Sequence, residues 1–438
     1  MTLHVVRPRR RRFLQAAAAV PVGYWASGLP AADPAGPNEK LQIGIIGVSG
    51  RGAANMAAVA GETVVALCDV DSRRMGAAVG KYPQAAKYDD WRRLVDHKGL
   101  DAVVISTTDH THAPACVWAM NRGLSVYCEK PLAHSVYEAR VVQEKYLASR
   151  GRLATQMGTQ IHATDNYRRV VELIQSGAIG SVSAVHVWCN RVGSMPARHA
   201  EEVACPPELN WDLWLGPAPA RPYHPGYPTG GCMNWEQHWD WGNGCLGDMG
   251  SHLIDLPFWA LGLRDPVRVE AEGEPRSEET YPRWLIARWD HPARGARGPV
   301  SLTWYDGGKR PPSPPGHDLN TWGIGVLFVG DKGQLLADYG RRILLPEDRF
   351  REFTPPPASI PPSLGHHQEW IHAAKTGGPT LCNFDDSGKL VEVNLLGAVA
   401  FRAGTPLDWD PVGLRATNCP EASPFIRREY RAGWVLDG

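Results

Sequence analysis

The sequence predicts an α/β chain: an N-terminal doubly wound parallel sheet, followed by an α+β domain built on a large, mostly antiparallel sheet. Three observations carry this expectation. Between Leu41 and Gly158, short apolar runs alternate with helix-length stretches, the order that parallel strands joined by crossover helices require. The first apolar run ends in a glycine-rich turn, "GVSGRG", that opens directly into a helical stretch. After Tyr167 the texture changes to alternating runs, the pattern of half-buried antiparallel strands.

Taken in order, "LQIGIIGV" reads as the first strand, "AANMAAVA" as a helix and "TVVALCDV" as the second strand. "SRRMGAAVGKY" and "DDWRRLVDHKG" read as helices and "DAVVIST" as the third strand. "HAPACVWAMNRG" is a helix closed by Gly123. "LSVYC" is the fourth strand, "SVYEARVVQEKYLASRG" a helix and "RLATQMG" a further strand. These strands are apolar on both faces, as strands buried between two helical layers are. Beyond them, "NYRRVVELIQSGAIG" is an amphipathic helix and "SVSAVHVWCN" a β-branched strand. A Pro- and Trp-rich span from 205 to 245 shows little periodicity. "DMGSHLIDLPFWALGL" is a helix, and "RVEAEGE", "RWLIARWD", "VSLTWYD" and "GIGVLFVGDKGQLLADYG" are strands of one antiparallel sheet, with "GDKGQ" as a hairpin turn. "EWIHAAKTG" is read as a helix returning to the first domain, with His366 and His367 capping or packing it. The expected organisation is residues 1–38 as an export signal and linker, 39–160 as a nucleotide domain and 161–438 as a substrate and oligomerisation domain. The C-terminal part of the last is expected to pack back on the nucleotide domain.

Composition narrows the function. Lysine plus arginine and aspartate plus glutamate number 46 each, so no broad basic surface for nucleic acid is expected. The nine cysteines are scattered without a C-x-x-C pair, which argues for buried thiols rather than a disulfide framework or a zinc knuckle. The N-terminus, "RPRRRRFLQAAAAVPVGYWASGLPAADP", has a basic region, a short apolar stretch and small residues, the order of an export signal. Arg10-Arg11 followed by "RFLQ" resembles a bacterial twin-arginine signal. The expectation is a periplasmic protein that meets the twin-arginine machinery and holds no stable membrane insertion after processing.

The turn after the first strand has the context of a dinucleotide site. Gly47 permits a tight turn and Gly52 lets helix and strand approach closely, while Ser49, Gly50 and Arg51 surround the helix N-terminus that would take a pyrophosphate. Ser49 stands where the fingerprint has its central glycine. Asp69 ends the second strand 22 residues after Gly47, near the spacing at which a carboxylate accepts from ribose hydroxyls. A carboxylate there repels a 2′-phosphate, so NAD is expected and NADP less so, with Arg73 as a countervailing cation. The other reading of Asp69 is a cap for the following helix.

"CEKPLA", the upstream "TTDHTHAPA" and the later "LGDMGSHLIDLPFWAL" stand in an order that resembles the glucose–fructose oxidoreductase, inositol dehydrogenase and MocA family (Gfo/Idh/MocA). The resemblance runs from Leu41 to the C-terminus and is nearest to exported, Trp-rich bacterial members. It implies a Rossmann nucleotide domain and a hydride transfer between NAD and a sugar, cyclitol or related polyol. It also implies that Lys130 positions the reacting hydroxyl, that Glu129 meets the nicotinamide ribose, and that Pro131 stiffens the turn. Asp248 and His252, four residues apart on one helix face, are the implied partners. His252 is the expected general base because an imidazole ordinarily titrates near working pH. Thr107, His110 and His112 are expected to line the nicotinamide side. A homo-oligomer formed through the large sheet is also implied.

Weaker substrate candidates are Gln160, His162, Tyr167 and Arg168, together with Trp235, Trp239 and Trp241, whose ring faces suit sugar C–H surfaces. Trp211 and Trp214 read as scaffold. No metal site is expected, since "HTH" lacks a helical i, i+4 arrangement and no carboxylate cluster accompanies it. An exported enzyme cannot draw on free NAD, so a cofactor that stays bound and is reset in place is expected. Two other readings stay open: redox-neutral, NAD-dependent glycoside cleavage, and a non-catalytic sugar or nucleotide sensor.

Overall fold

The computed structural model describes residues 39–149, 151–193, 198–199 and 201–438. The expected export signal, residues 1–38, lies outside the described residues. Six strands form the first sheet: β1 (Gln42–Ile46), β2 (Thr63–Cys68), β3 (Ala86–Tyr88), β4 (Ala102–Ile105), β5 (Ser125–Cys128) and β6 (Thr155–Met157). They pair in parallel in the order β3-β2-β1-β4-β5-β6. Strand order reverses between β1 and β4, so the connections leaving their C-terminal ends run to opposite sides and open a crevice there.

Residues of β4 and β5 are buried throughout, which is why they read as unbroken apolar runs. The Val136–Ala148 helix that follows β5 begins with a capping box, in which Ser135 and Glu138 each serve the other's backbone N–H. One helix on this sheet comes from far along the chain. In His366–Thr376, Trp370 and Ile371 pack with Ile43, Val59 and Tyr127, and Trp370 Nε1 donates to the Ala154 carbonyl at 3.1 Å.

The second sheet has nine strands: β7 (Val182–Cys189), β8 (Arg268–Gly273), β9 (Leu285–His291), β10 (Val300–Tyr305), β11 (Ile324–Gly330), β12 (Gly333–Ala337), β13 (Arg342–Leu345), β14 (Leu407–Asp410) and β15 (Arg415–Ala416). Their order is β13-β12-β11-β7-β10-β9-β8-β14-β15. The sheet is mixed rather than wholly antiparallel, because β7 and β10 run parallel. A long excursion separates these two strands in sequence, which leaves the chain free to re-enter beside β7 in the same direction. The β11–β12 hairpin turns at Asp331-Lys332, as its "GDKG" stretch predicts.

Between the sheets lies Phe384–Ala403, the longest described helix, which contacts the Val136–Ala148 helix on one side and β8 and β9 on the other. Its buried residues occur all round the helix. The helix read at "DMGSHLIDLPFWALGL" is two, Gly244–Leu253 and Asp255–Leu261, and the first aims its side chains at the crevice. Arg428 and Tyr430, near the C-terminus, both reach Glu138 Oε1, at 2.7 and 2.5 Å. No described helix is long and apolar enough to cross a membrane.

Candidate active site

A cleft of about 710 Å³ opens at the C-terminal ends of β1, β2, β4 and β5. Its first wall is the turn after β1. Gly47 has φ +83°, and a Cβ there would stand 2.3 Å from the Ser106 carbonyl oxygen. A Cβ on Gly52 would stand 2.0 Å from the Gly47 carbonyl oxygen. Both positions admit only glycine, one for its conformation and both for closeness of approach. Gly50, by contrast, has no neighbour within 4 Å of where a Cβ would be, and it leads into the Arg51–Ala58 helix, whose start no side chain caps. A helix N-terminus left free of a side-chain cap beside open space fits an anionic group such as a pyrophosphate.

Asp69 closes the next strand and serves this turn, since its carboxylate accepts from the Val48 and Asp71 backbone N–H groups at 3.2 and 3.0 Å. Burial raises its pKa above the usual carboxylate value. The cap of the following helix is Asp71, not Asp69. Asp71 also holds the Arg73 guanidinium at 2.6 Å, so Arg73 is engaged rather than free to receive a 2′-phosphate. These residues fit NAD: an open backbone cradle for phosphates and, at the strand end, a carboxylate where a ribose would lie.

The lining also includes Glu129, Lys130, Asp248 and His252. Lys130, at the turn after β5, follows a strand whose end is buried, and the Lys130–Pro131 peptide is cis. Its ammonium meets Asp248 Oδ1 from the Gly244–Leu253 helix. His252 lies one turn further along that helix, and its Nδ1 is buried without a protein partner. Sequence reasoning gave His252 an ordinary imidazole pKa; burial, reinforced by the positive charges of Lys130 and Arg51, instead holds it well below that value. It is therefore neutral, the form that accepts a proton. Glu129 is fixed from behind: its Oε1 accepts from Asn55 Nδ2 at 2.9 Å and Gln160 Nε2 at 3.0 Å.

The structure thus brings Gly47, Ser49, Gly50, Arg51, Asp69, Thr107, Glu129, Lys130, Asp248, His252 and Trp235 to one cleft. Gly52 packs against the Gly47 carbonyl within the same turn, and the structure does not bring the other candidates there. His110 and His112 are fully buried, with their ring nitrogens on the carbonyls of Trp214 and Trp241, and of Thr107 and Pro131. Burial lowers their pKa values to about 3 and about 4, and they brace the turns around the cleft. Gln160 supports Glu129 rather than lining the space. His162 stacks on Trp259 and bonds Asp255 at 2.8 Å, beside a separate cavity of about 340 Å³. Tyr167 is buried and donates to the His252 carbonyl, and Arg168 is paired with Glu369 at 2.7 Å. Trp239 donates to the Ser277 carbonyl, and Trp241 is buried among Trp214 and Tyr227. Aromatic content alone cannot separate a ring that packs from a ring that faces a ligand. Trp214, read as scaffold, does reach the cleft.

Several cleft residues escaped sequence reasoning, Glu236 among them, and so did Arg191, which pairs with it. Arg191, just beyond β7, contacts Asp248 Oδ2 at 2.5 Å and Glu236 Oε1 at 2.7 Å. Glu236 is 1% exposed, and burial raises its pKa. The one available signal was a carboxylate set amid the aromatic run "NWEQHWDW". Cys232 adjoins both carboxylates, and it is the exposed member of nine free thiols, most of them buried.

Comparisons with known proteins agree with this architecture. Residues 41–157 match the Gfo/Idh/MocA model described as an oxidoreductase family with an NAD-binding Rossmann fold, and residues 169–291 match that family's C-terminal α/β domain. Inositol 2-dehydrogenase of Salmonella typhimurium is 33% identical over 151 residues, 33% of this chain and 45% of that protein. The Rubrobacter xylanophilus inositol 2-dehydrogenase is 33% identical over 172 residues, 38% of this chain and 49% of that protein. The chain spans about half the length of the curated relatives it matches. The fold is shared with scyllo-inositol dehydrogenase from Lactobacillus casei, solved with NAD(H) and scyllo-inositol (TM-score 0.54, 17% identity, 84% of this chain and 99% of that one). It is shared as well with an oxidoreductase domain protein from Kribbella flavida (TM-score 0.57, 20% identity, 84% and 98%).

Proposed function

We propose, because the chain belongs to the Gfo/Idh/MocA oxidoreductase family with its NAD-binding Rossmann fold, that it oxidises or reduces a CH–OH group of a neutral sugar, cyclitol or related polyol. One observation carries the reading: Lys130, Asp248 and His252 line the same cleft as Gly47 and Asp69 of the nucleotide turn. NAD, when bound, would supply the hydride acceptor. The chain supplies the rest. Lys130 holds the reacting oxygen through its ammonium, and neutral His252 takes the hydroxyl proton. Asp248 holds the ammonium in place, and Glu129, locked by Asn55 and Gln160, receives a ribose hydroxyl. Asp69 favours NAD over NADP by occupying the place a 2′-phosphate would need.

The reading extends to the setting. The basic N-terminus supports export by the twin-arginine route, which moves folded proteins, and hence a nucleotide loaded before export and kept. The second face of the nine-stranded sheet, where Ile286, Tyr305 and Val329 are only half-buried, supports a homo-oligomer joined through that sheet. The test is to purify the protein without added nucleotide, denature it and identify what is released. NAD(H) in one-to-one amount supports a retained cofactor. An empty protein that takes up NAD(H) when supplied supports an ordinary dehydrogenase, and one that binds none overturns the reading.

A further inference from the structure

Lys130, Glu236 and Asp248 line the cleft, as does the buried Asp109, and Arg191 pairs with Glu236 and Asp248. Lys130 lies on one oxygen of Asp248, and Arg191 bridges the other oxygen to Glu236 Oε1. Gln237 Nε2 also donates to Glu236 Oε1, at 3.0 Å. Glu236 Oε2 is different. It is buried, its residue lines the cleft, and it has no protein partner. A carboxylate oxygen withheld from both water and protein costs free energy unless a ligand donates to it. One carboxylate oxygen each of Glu236 and Asp248 and the Cys232 sulfur lie within 4.8 Å of one another, so the Glu236 carboxylate stands beside the group held at Asp248 and Lys130.

We propose that Glu236 Oε2 is a hydroxyl-accepting subsite, and that the substrate is an uncharged polyol carrying a hydroxyl adjacent to the reacting one. This rests on the dehydrogenase reading for the place of the reacting hydroxyl, and it adds which neighbour is recognised. Arg191 is a positioning residue: it holds Glu236 and Asp248 at a fixed separation although both are carboxylates. The same pairing sets charge selectivity. Both cations of the substrate end are already matched by carboxylates, while the Arg51 and Arg74 side chains stand by the phosphate turn. A uronate or sugar phosphate entering beside Glu236 would meet an unpaired carboxylate oxygen rather than a free cation.

The test is calorimetric titration of the nucleotide-loaded protein with myo-inositol, D-glucose, D-galactose, their mono-deoxy analogues and D-glucuronate. It reads the subsite whether or not turnover follows, so its failure is separable from failure of the dehydrogenase reading, which shows as absence of NADH formation. The wild type is expected to bind one neutral polyol at least about tenfold more tightly than the analogue lacking one neighbouring hydroxyl, because a site built around a hydroxyl rejects the ligand without it. Glu236→Gln should erase most of that ratio by weakening the parent polyol while leaving the deoxy analogue nearly unchanged. Glu236→Asp, which keeps a charge for Arg191 but withdraws the oxygen, should act in the same direction and serves if the glutamine variant folds poorly. Equal weakening of parent and analogue, preference of the wild type for glucuronate, or binding of none of the neutral polyols would overturn the proposal.

Discussion

Lys130 and Asp248 form an ion pair across the cleft, one from the turn that ends β5 and the other from the Gly244–Leu253 helix of the second half of the chain. The pair is mostly buried, with side chains 17% and 7% exposed, and Asp248 is held by Arg191 as well. Lys130→Met should lower kcat/KM by about 10²- to 10³-fold, the usual worth of one donor aimed at a reacting oxygen. Nucleotide content should stay unchanged, since Lys130 stands on the substrate side. Steady-state kinetics and nucleotide analysis of the same preparation check both halves, and near-normal turnover would remove Lys130 from the mechanism.

The pH profile follows from His252. Its pKa is depressed, so its neutral, proton-accepting form persists above that lowered value and is lost only as pH falls through it. Oxidation should therefore keep its kcat/KM without an acid limb near the ordinary imidazole pKa of about 6.5. His252→Gln should abolish most activity at every pH. An acid limb centred at the ordinary value, lost in that variant, would show that the imidazole is more solvated than the structure has it.

Gly52→Ala places a methyl against the Gly47 carbonyl, an atom that cannot swing aside. The turn must open, at a cost of about 1–3 kcal/mol for an overpacked site. The expected outcome is protein that folds with a lowered melting temperature and carries little nucleotide. Gly50→Ala meets no neighbour, although its φ of +55° adds backbone strain, and should retain more nucleotide than Gly52→Ala.

Asp69→Ala should weaken NAD binding roughly 10- to 100-fold, the worth of hydrogen bonds to a charged group. It should also narrow the preference for NAD over NADP, because the repelling carboxylate is gone. Arg73 is tied to Asp71, so strong NADP binding is not expected to appear. Fluorescence titration of nucleotide-stripped protein with each cofactor measures the two affinities.

Arg428→Ala tests the C-terminal strap. Glu138 is nearly fully buried and, among the described residues, pairs with no cation but Arg428, so removal leaves a buried charge uncompensated. A loss of about 3–5 kcal/mol is expected. Chemical denaturation should show it, and Glu138→Gln in the same chain should restore part of it. An unchanged midpoint would mean that the strap does not contribute to stability.

Five strands of the first sheet and its nucleotide turn were legible because their signals are local; β3 (Ala86–Tyr88) was not, since three residues are too few to show a period. Gly47 and Gly52 are demanded by their own backbone surroundings, and Asp69 by its place at a strand end. The Phe384–Ala403 helix was not legible, since it is buried on all sides and has no polar face to set a period. Nor could the sequence separate His110 and His112 from true cleft residues. A histidine in the first turn of a helix reads the same whether its ring meets a ligand or, as here, backbone carbonyls.

By itself, then, the sequence determined where strands end, which turns need glycine and which side chains those ends present, because backbone conformation and hydrophobic period act over a few residues. Only the tertiary structure decided that Lys130, Asp248, Arg191 and Glu236 form one chain of ion pairs, and that one Glu236 oxygen is left without a protein partner. Those residues come from distant segments, and their partners are set by how two sheets and the helix between them pack. Burial then raises the pKa of Glu236 and lowers that of His252, and burial is a property of the whole fold.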